Sequence, residues 1–359
     1  MAKSKVSEQA ESIKNNIPIK DDERVEFLSS GSTMFNIAAS GKGKNGGWAR
    51  GRIVNPVGDG SSGKTLLALE LCANAFYNIK KKISKIFPLV KNLKIKYLNR
   101  ERVMDFPIDK MYGEEFVKNI EWIYDISTVE EFGRDFGKVC LEHKEGDCVI
   151  YVVDSWDSLN SEVSQQRFEE AAIKGKAKET GSYNTDKAAY ASKEFFNNAC
   201  DLMTGKDITL VIISQTRSKI GVTFGEKHYR SGGDALNFYT HQVPWLAEVE
   251  KLKKTFRGEE RVYGIRMKAK FKRNKVAKPF RDAETVILFD YGIDDLGSMI
   301  NWYYGPEVKK INFDGEDFNR ADFIKYIEDN DLEDIIIDMV EKEWNEIESA
   351  IAPDRKSRF

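Results

Sequence analysis

Gly58-Asp59-Gly60-Ser61-Ser62-Gly63-Lys64-Thr65 fits the pattern G-x-x-x-x-G-K-[ST] at every fixed position. In a P-loop the glycines let the backbone curl so that its N–H groups face phosphate oxygens. The lysine reaches the outer phosphates, and the hydroxyl holds Mg²⁺. Arg52 to Val57, ahead of the loop, reads as a short buried strand. Behind it Leu66, Leu67, Leu69, Ala73, Phe76 and Ile79 recur at near-helical spacing. Strand, loop and helix therefore follow in the order a P-loop requires, and the helix N-terminus adds its dipole to the phosphate site. The cradle assigned to nucleotide is Gly58, Asp59, Gly60, Ser61, Ser62, Gly63, Lys64 and Thr65.

Further strands supply residues at the sheet's carboxyl edge, where open α/β sheets bind ligands. Lys94 to Leu98 is one, and Glu101 just beyond it is a candidate base for an attacking water, against the reading of a surface carboxylate in a charged turn. Asp147 to Asp154 is an apolar run ending in an acid, placed to hold Mg²⁺ through water. Ile208 to Ser214 ends at Gln215, whose amide would sense the terminal phosphate. Asp105 is assigned to nucleotide binding with them.

At 359 residues, 41% hydrophobic and 32% charged, the chain has the composition of a soluble α/β protein with small appendages. It has no run of 18 apolar residues and no signal-peptide pattern, so the expectation is a cytoplasmic protein with no membrane partner. Cys72, Cys140, Cys148 and Cys200 are widely spaced, and three histidines show no ligand spacing, which argues against disulfides and zinc. The net charge of −2 hides an uneven distribution: Lys251 to Arg281 holds 13 basic and two acidic residues, Asn312 to Phe359 six basic and 15 acidic. A basic block of this kind faces either a polyanion or solvent.

Val117 to Tyr124 and Thr285 to Asp290 read as strands, Glu130 to His143 and Ala188 to Met203 as helices, and residues 156–187 as a long polar excursion. In Val262 to Lys272, Ile265, Met267, Ala269 and Phe271 alternate with Arg266, Lys268, Lys270 and Lys272, giving a strand with a basic outer face. Thr216 to Asp234 mixes four glycines with Arg217, Lys219, Phe224, Lys227 and Arg230, a composition suited to phosphate and base contact. Helices are expected at Arg320 to Asp329 and Leu332 to Ile351.

In order along the chain, Gly51-Arg-Ile-Val, Ser61-Ser-Gly-Lys-Thr65, Val152-Val-Asp-Ser155, Lys219 to Gly225, Gly232 to Tyr239 and Asn274 to Phe280 resemble the blocks of the RecA recombinases over about residues 27–305. The resemblance implies a RecA-type ATPase core at 27–305, with a mostly parallel sheet flanked by helices. An N-terminal arm at 1–26 and an acidic helical region at 306–359 complete the chain. It implies ATP and Mg²⁺ as cofactors, Glu101, Lys64 and Gln215 as catalytic residues, and Thr65 with Asp154 as the metal-side pair. Thr216 to Gly233, with Gly232 and Gly233 at its end, would be a DNA-binding loop. Arg273 and Lys275 would touch the ATP of a neighbouring subunit. The implied partners are single- and double-stranded DNA and further copies of the chain in a filament. Asn99 and Ile108 depart from the family, which has Asp and an adenine-stacking Tyr there, and the excursion is longer than the family's first DNA loop. The expected function is an ATP-dependent recombinase. The alternatives are a RecA-fold helicase or presynaptic accessory ATPase, and a DNA-coating filament without useful turnover.

Overall fold

A computed structural model describes residues 25–80, 87, 89–102, 104, 106–174, 184–218, 228–230 and 233–356. Phe27–Leu28 (β1) and Trp48–Ala49 (β2) pair antiparallel around helix α1, Thr33–Ser40. Ser32 caps α1 by accepting the Phe35 amide, and Gly41 ends it at φ +80°.

The strand expected over Arg52 to Val57 divides into Ile53–Val54 (β3) and Val57–Gly58 (β4). Pro56 has no N–H to give to the ladder, and buried Asn55 turns its carboxamide across the gap to the Ile212 carbonyl and the Ser214 hydroxyl. Helix α2, Lys64–Ala75, follows the P-loop and runs on through a wider turn to Lys80.

The rest of the parallel sheet is Asn92–Asn99 (β5), Ile120–Ile123 (β6), Asp147–Asp154 (β7) and Ile208–Ile212 (β8), with Ser214–Ser218 (β9) continuing β8. Between β5 and β6 lie α3, Ile108–Tyr112, and α4, Glu114–Lys118, so the strand expected from Val117 starts later, at Ile120. Helix α5, Val129–Glu142, opens on a capping box between Thr128 and Glu131.

The described residues of the excursion after β7 are largely helical: α6 spans Glu162–Lys174 and α7 Asn184–Tyr190, the latter running through a wide turn into α8, Phe196–Met203. Arg134–Glu162 at 2.6 Å and Arg167–Asp186 at 2.9 Å tie these polar helices to α5 and to each other. His228–Arg230 (β10) pairs antiparallel with β9, and α9, Gly233–Tyr239, follows.

Gln242–Phe256 (β11) is parallel to β3 and β4 and forms a long ribbon with Glu259–Asn274 (β12). The ribbon turns through Arg257 and Gly258, at φ +52° and +84°, the paired positive values of a tight hairpin turn. Asp282–Leu288 (β13) and Gly292–Asp294 (β14) complete this antiparallel edge, and α10, Asp295–Tyr304, leaves it.

Residues 306–356 add a hairpin that the helical reading did not include, Lys310–Phe313 (β15) with Glu316–Asn319 (β16), before α11, Arg320–Asp329, and α12, Glu333–Ile351. Ile311, Phe323, Ile327, Ile336 and Val340 join the main core, so these elements pack onto the sheet's helical layer.

Alternate residues of β7 face opposite cores: Ile150 and Val152 pack toward α1 and α2, Val149, Tyr151 and Val153 toward α5 and α8. Burial on both faces is what places the strand ends, with their turns, at the sheet's open edge.

Candidate nucleotide and nucleic-acid site

Tight packing shapes the phosphate loop. A Cβ at Gly58 would stand 2.6 Å from the Leu246 carbonyl oxygen, and one at Gly63, at φ +82°, 2.7 Å from Ile287 Cδ1. Gly60 faces open space. Glycine at these positions brings the backbone close to β11 and β13 and leaves the middle of the loop uncovered.

Lys64 is buried and donates its ammonium to the Asp59 carbonyl and, at 3.2 Å, to the Ser62 hydroxyl. Burial lowers its pKa, opposed chiefly by the charges of Asp154 and Asp59. Nearby carboxylates thus offset part of the cost of burying the ammonium.

The register Asn99–Asp154 between β5 and β7 brings both strand ends level. Asp154 Oδ2 accepts the Thr65 and Tyr97 hydroxyls, each at 2.8 Å. Burial raises its pKa, and these two bonds resist the shift. Hydroxyl and carboxylate oxygens at the mouth of a phosphate cradle suit Mg²⁺, a hard cation that keeps waters and takes few protein ligands beside phosphate.

Glu101, exposed at the rim, accepts the Ser155 hydroxyl at 3.0 Å and the Gln215 side-chain amide at 3.2 Å on the same oxygen, Oε1. Gln215, expected at a strand end, lies inside β9 opposite Gly58 and gives its backbone amide to Asp157 Oδ2 at 2.7 Å. Lys187 reaches back from α7 to the Trp156 carbonyl and, at 2.9 Å, to that of Leu159, with its pKa lowered by burial to about 8.

The structure therefore brings Lys64, Thr65, Glu101, Asp154 and Gln215 to one edge. Ser155, Tyr97 and Asp157 join them unannounced. Ser155 adjoins the acid that ends an apolar strand, a signal that was available, whereas Tyr97 and Asp157 depend on contacts across the sheet.

Arg273 and Lys275 lie elsewhere. Arg273 pairs with Val243 and Leu246 pairs with Gly58, which puts Arg273 about 10 Å back along β11 from the P-loop, toward the opposite end of the sheet.

In the expected DNA segment, Thr216 to Ser218 and His228 to Arg230 are the two stems of a hairpin, where the sequence suggests a loop from Thr216 onward. Arg217 is exposed on the first stem. Arg230 turns inward to Asn55 and, at 2.6 Å, to Asn237. Gly233 begins α9; Lys219, Phe224, Lys227 and Gly232, like Asp105, lie outside the described residues.

The RecA N-terminal domain family matches residues 165–294. Protein RecA of Rippkaea orientalis is 30% identical over 319 residues, covering 86% of this chain and 79% of its own. The chain belongs to the RecA family of DNA recombinases. A second RecA, from Synechocystis sp., is 30% identical over 342 residues, covering 92% of this chain and 85% of that one. The solved structure of the RadB recombinase aligns at 18% identity and a TM-score of 0.47, covering 74% of this chain and 98% of that chain. The RecA-family match includes β9, the ribbon and β13. No helix among the described residues is long and apolar enough to cross a membrane.

Proposed function

We propose that this RecA-family protein is a DNA-dependent ATPase of the cytoplasm that polymerises on single-stranded DNA and exchanges strands with a homologous duplex. The observation that carries this reading is the Glu101 carboxylate, held by Ser155 and Gln215 at the edge where Thr65 and Asp154 meet. A base, an amide sensor and a metal-side pair in one place suit hydrolysis of a terminal phosphate.

ATP would lie in the loop 58–65, with Lys64 leaving the Asp59 carbonyl for phosphate oxygens and α2 adding its N-terminal dipole. Thr65 and, through water, Asp154 would hold Mg²⁺, which would supply neutralisation of phosphate charge. Glu101 Oε1 would take the proton of the attacking water, and Ser155 keeps that oxygen in place. Gln215 gives its amide either to Glu101 or to the terminal phosphate. Because β9 continues into the hairpin stem that bears Arg217, that choice ties nucleotide state to the DNA-facing segment.

The distance of Arg273 and Lys275 from their own P-loop supports their action on a neighbour's nucleotide, in a head-to-tail assembly. Core 27–305 would form the filament body, and the regions at 1–26 and 306–359 would be appendages to it.

The deciding experiment is ATP hydrolysis with and without single-stranded DNA, followed by strand exchange on homologous and heterologous duplex. Hydrolysis stimulated by DNA and exchange restricted to homologous duplex are expected. Turnover indifferent to DNA would sink the recombinase, and unwinding without homology dependence would select a motor.

A further inference from the structure

The turn that follows β12 is held from several sides. Asn274 Oδ1 accepts the amides of Val276 and Ala277, each at 3.1 Å, while Asn274 Nδ2 donates to the Ala39 carbonyl at 2.7 Å. Lys275 gives its backbone amide to His241 and its ammonium to the Phe238 carbonyl, in the helix that follows the DNA segment.

The far side of the turn is gripped by one carboxylate of α12. Glu348 accepts from Lys278 Nζ at 2.6 Å and from Arg281 Nε at 3.0 Å, one cation on each oxygen. Arg281 also lies against the end of α1, where a Cβ at Gly41 would stand 3.0 Å from its Nη1. Only 13% of the Arg281 side chain is exposed, whereas the Lys342–Glu346 pair on the same helix is 3.9 Å apart with side chains 79% and 63% exposed. The Arg281 arm is an enclosed, charge-assisted contact, the Lys278 arm is more open with 63% of the lysine side chain exposed, and the Lys342–Glu346 contact is a surface pair of the kind that contributes little. Arg281, and then Lys278, hold the Glu348 carboxyl down at about 2.

We propose that Glu348 is a positioning residue for the subunit interface: by fixing Lys278 and Arg281 it sets the turn from which Lys275, just past the end of β12, reaches a neighbour's nucleotide. The C-terminal helix thereby governs how assembly is coupled to ATP. This inference rests on the proposed action of Arg273 and Lys275 across subunits. A turn fixed at both ends loses less conformational freedom when its side chains engage a partner, so the clamp favours assembly.

The test is DNA-stimulated ATPase measured against protein concentration, in the full chain, for Glu348→Gln, Glu348→Asp, Lys278→Ala, Lys275→Ala and the double variant Glu348→Gln/Lys275→Ala. Glu348→Gln is expected to raise the half-maximal protein concentration about tenfold, the size of one lost charge-assisted hydrogen bond, with little change in turnover once assembled. Glu348→Asp, which keeps the charge, restores part of the loss. In the Lys275→Ala background Glu348→Gln adds nothing, because the residue it positions is gone.

Thermal unfolding shows whether each variant folds. If Glu348→Gln does not fold, Lys278→Ala, which removes one arm of the clamp without altering α12, decides in its place with a rise in the same direction. An inert Lys275→Ala overturns the cross-subunit reading itself. A strong Lys275→Ala effect beside an inert, tightening or additive Glu348→Gln overturns the clamp alone.

Discussion

Gln215 donates its side-chain amide to Glu101 at 3.2 Å across the end of β7: one residue lies inside β9, which continues β8, and the other just after β5. The amide can pass from one acceptor, the carboxylate, to another, a phosphate oxygen. Glu101→Gln is therefore expected to keep ATP bound while hydrolysis falls about 10²–10⁴-fold, the range for loss of a general base. Single-turnover hydrolysis with bound nucleotide measured in parallel checks it; retained turnover removes Glu101 from the role.

Gln215→Ala removes the amide and leaves the P-loop intact. Nucleotide affinity should stay within about threefold, while the tightening of DNA binding by ATP, on the order of tenfold or more for a coupled site, should disappear. The comparison is DNA affinity with a non-hydrolysable ATP analogue and with ADP. A wild-type difference between the two would show that Gln215 carries no signal.

Arg217 stands exposed on the hairpin stem, whereas Arg230 is spent on Asn55 and Asn237. Arg217→Ala should weaken single-stranded DNA binding without changing base preference, and lower the slope of log affinity against log salt by about 0.7. Titrations at several salt concentrations measure this. An unchanged slope would place Arg217 away from phosphate.

Much of this arrangement could be read from the chain because strand ends in a parallel sheet share one edge. Once the P-loop, Glu101, Asp154 and Gln215 each followed an apolar run, their meeting required only that the runs be neighbours. The partners that hold them were harder to read. Tyr97 looks like one more apolar strand residue until β5 and β7 align, and Asp157 meets Gln215 where the Trp156 amide, bonded to the Ile213 carbonyl, lays the turn after β7 against the start of β9.

The polar excursion lacks a strong apolar stripe, and its pairs, Arg134–Glu162 to α5 and Arg167–Asp186 between α6 and α7, join residues far apart in the chain that no local pattern encodes. The β15–β16 hairpin, by contrast, had a local sign. Asp314 and Gly315, at φ +51° and +83°, are the Asp-Gly pair that favours such a turn.

Glu70, on α2 behind the P-loop, accepts the Tyr112 hydroxyl at 3.0 Å and the Ile293 amide at 3.1 Å, and burial raises its pKa from 4.5 to about 7. The folded chain holds this proton where the unfolded chain has lost it. The resulting stability is full below pH 4.5, falls as pH rises to about 7, and is absent above. Glu70→Gln keeps an acceptor and cannot ionise, so the variant should gain on the wild type across that window, by on the order of 3 kcal/mol in total. Asp295, raised by burial to about 6, acts with the same sign but is present in both proteins. Thermal unfolding from pH 5 to 8 measures the gap; parallel curves would rule the titration out.

Lys64→Ala removes the ammonium that the cradle's own carbonyl and hydroxyl now hold. Nucleotide affinity should fall about a hundredfold, in line with the loss of charge-assisted bonds to phosphate. Binding of a fluorescent ATP analogue reports it, and wild-type affinity would mean that the nucleotide sits outside the loop.

Beneath Gly63 lie Ile287 of β13 and Met267 of β12, and the next residue along β12 from Met267, Lys268, belongs to the strand's basic outer face. A strand has no joint between neighbouring residues: what tilts one face tilts the other. The plank on which the phosphate loop rests is also the plank that shows cations to the outside. Lys268 is answered by Asp282 and Glu284 of β13, whereas Lys270 is exposed, so a load on that outer face would pass along one strand to the floor of the phosphate loop.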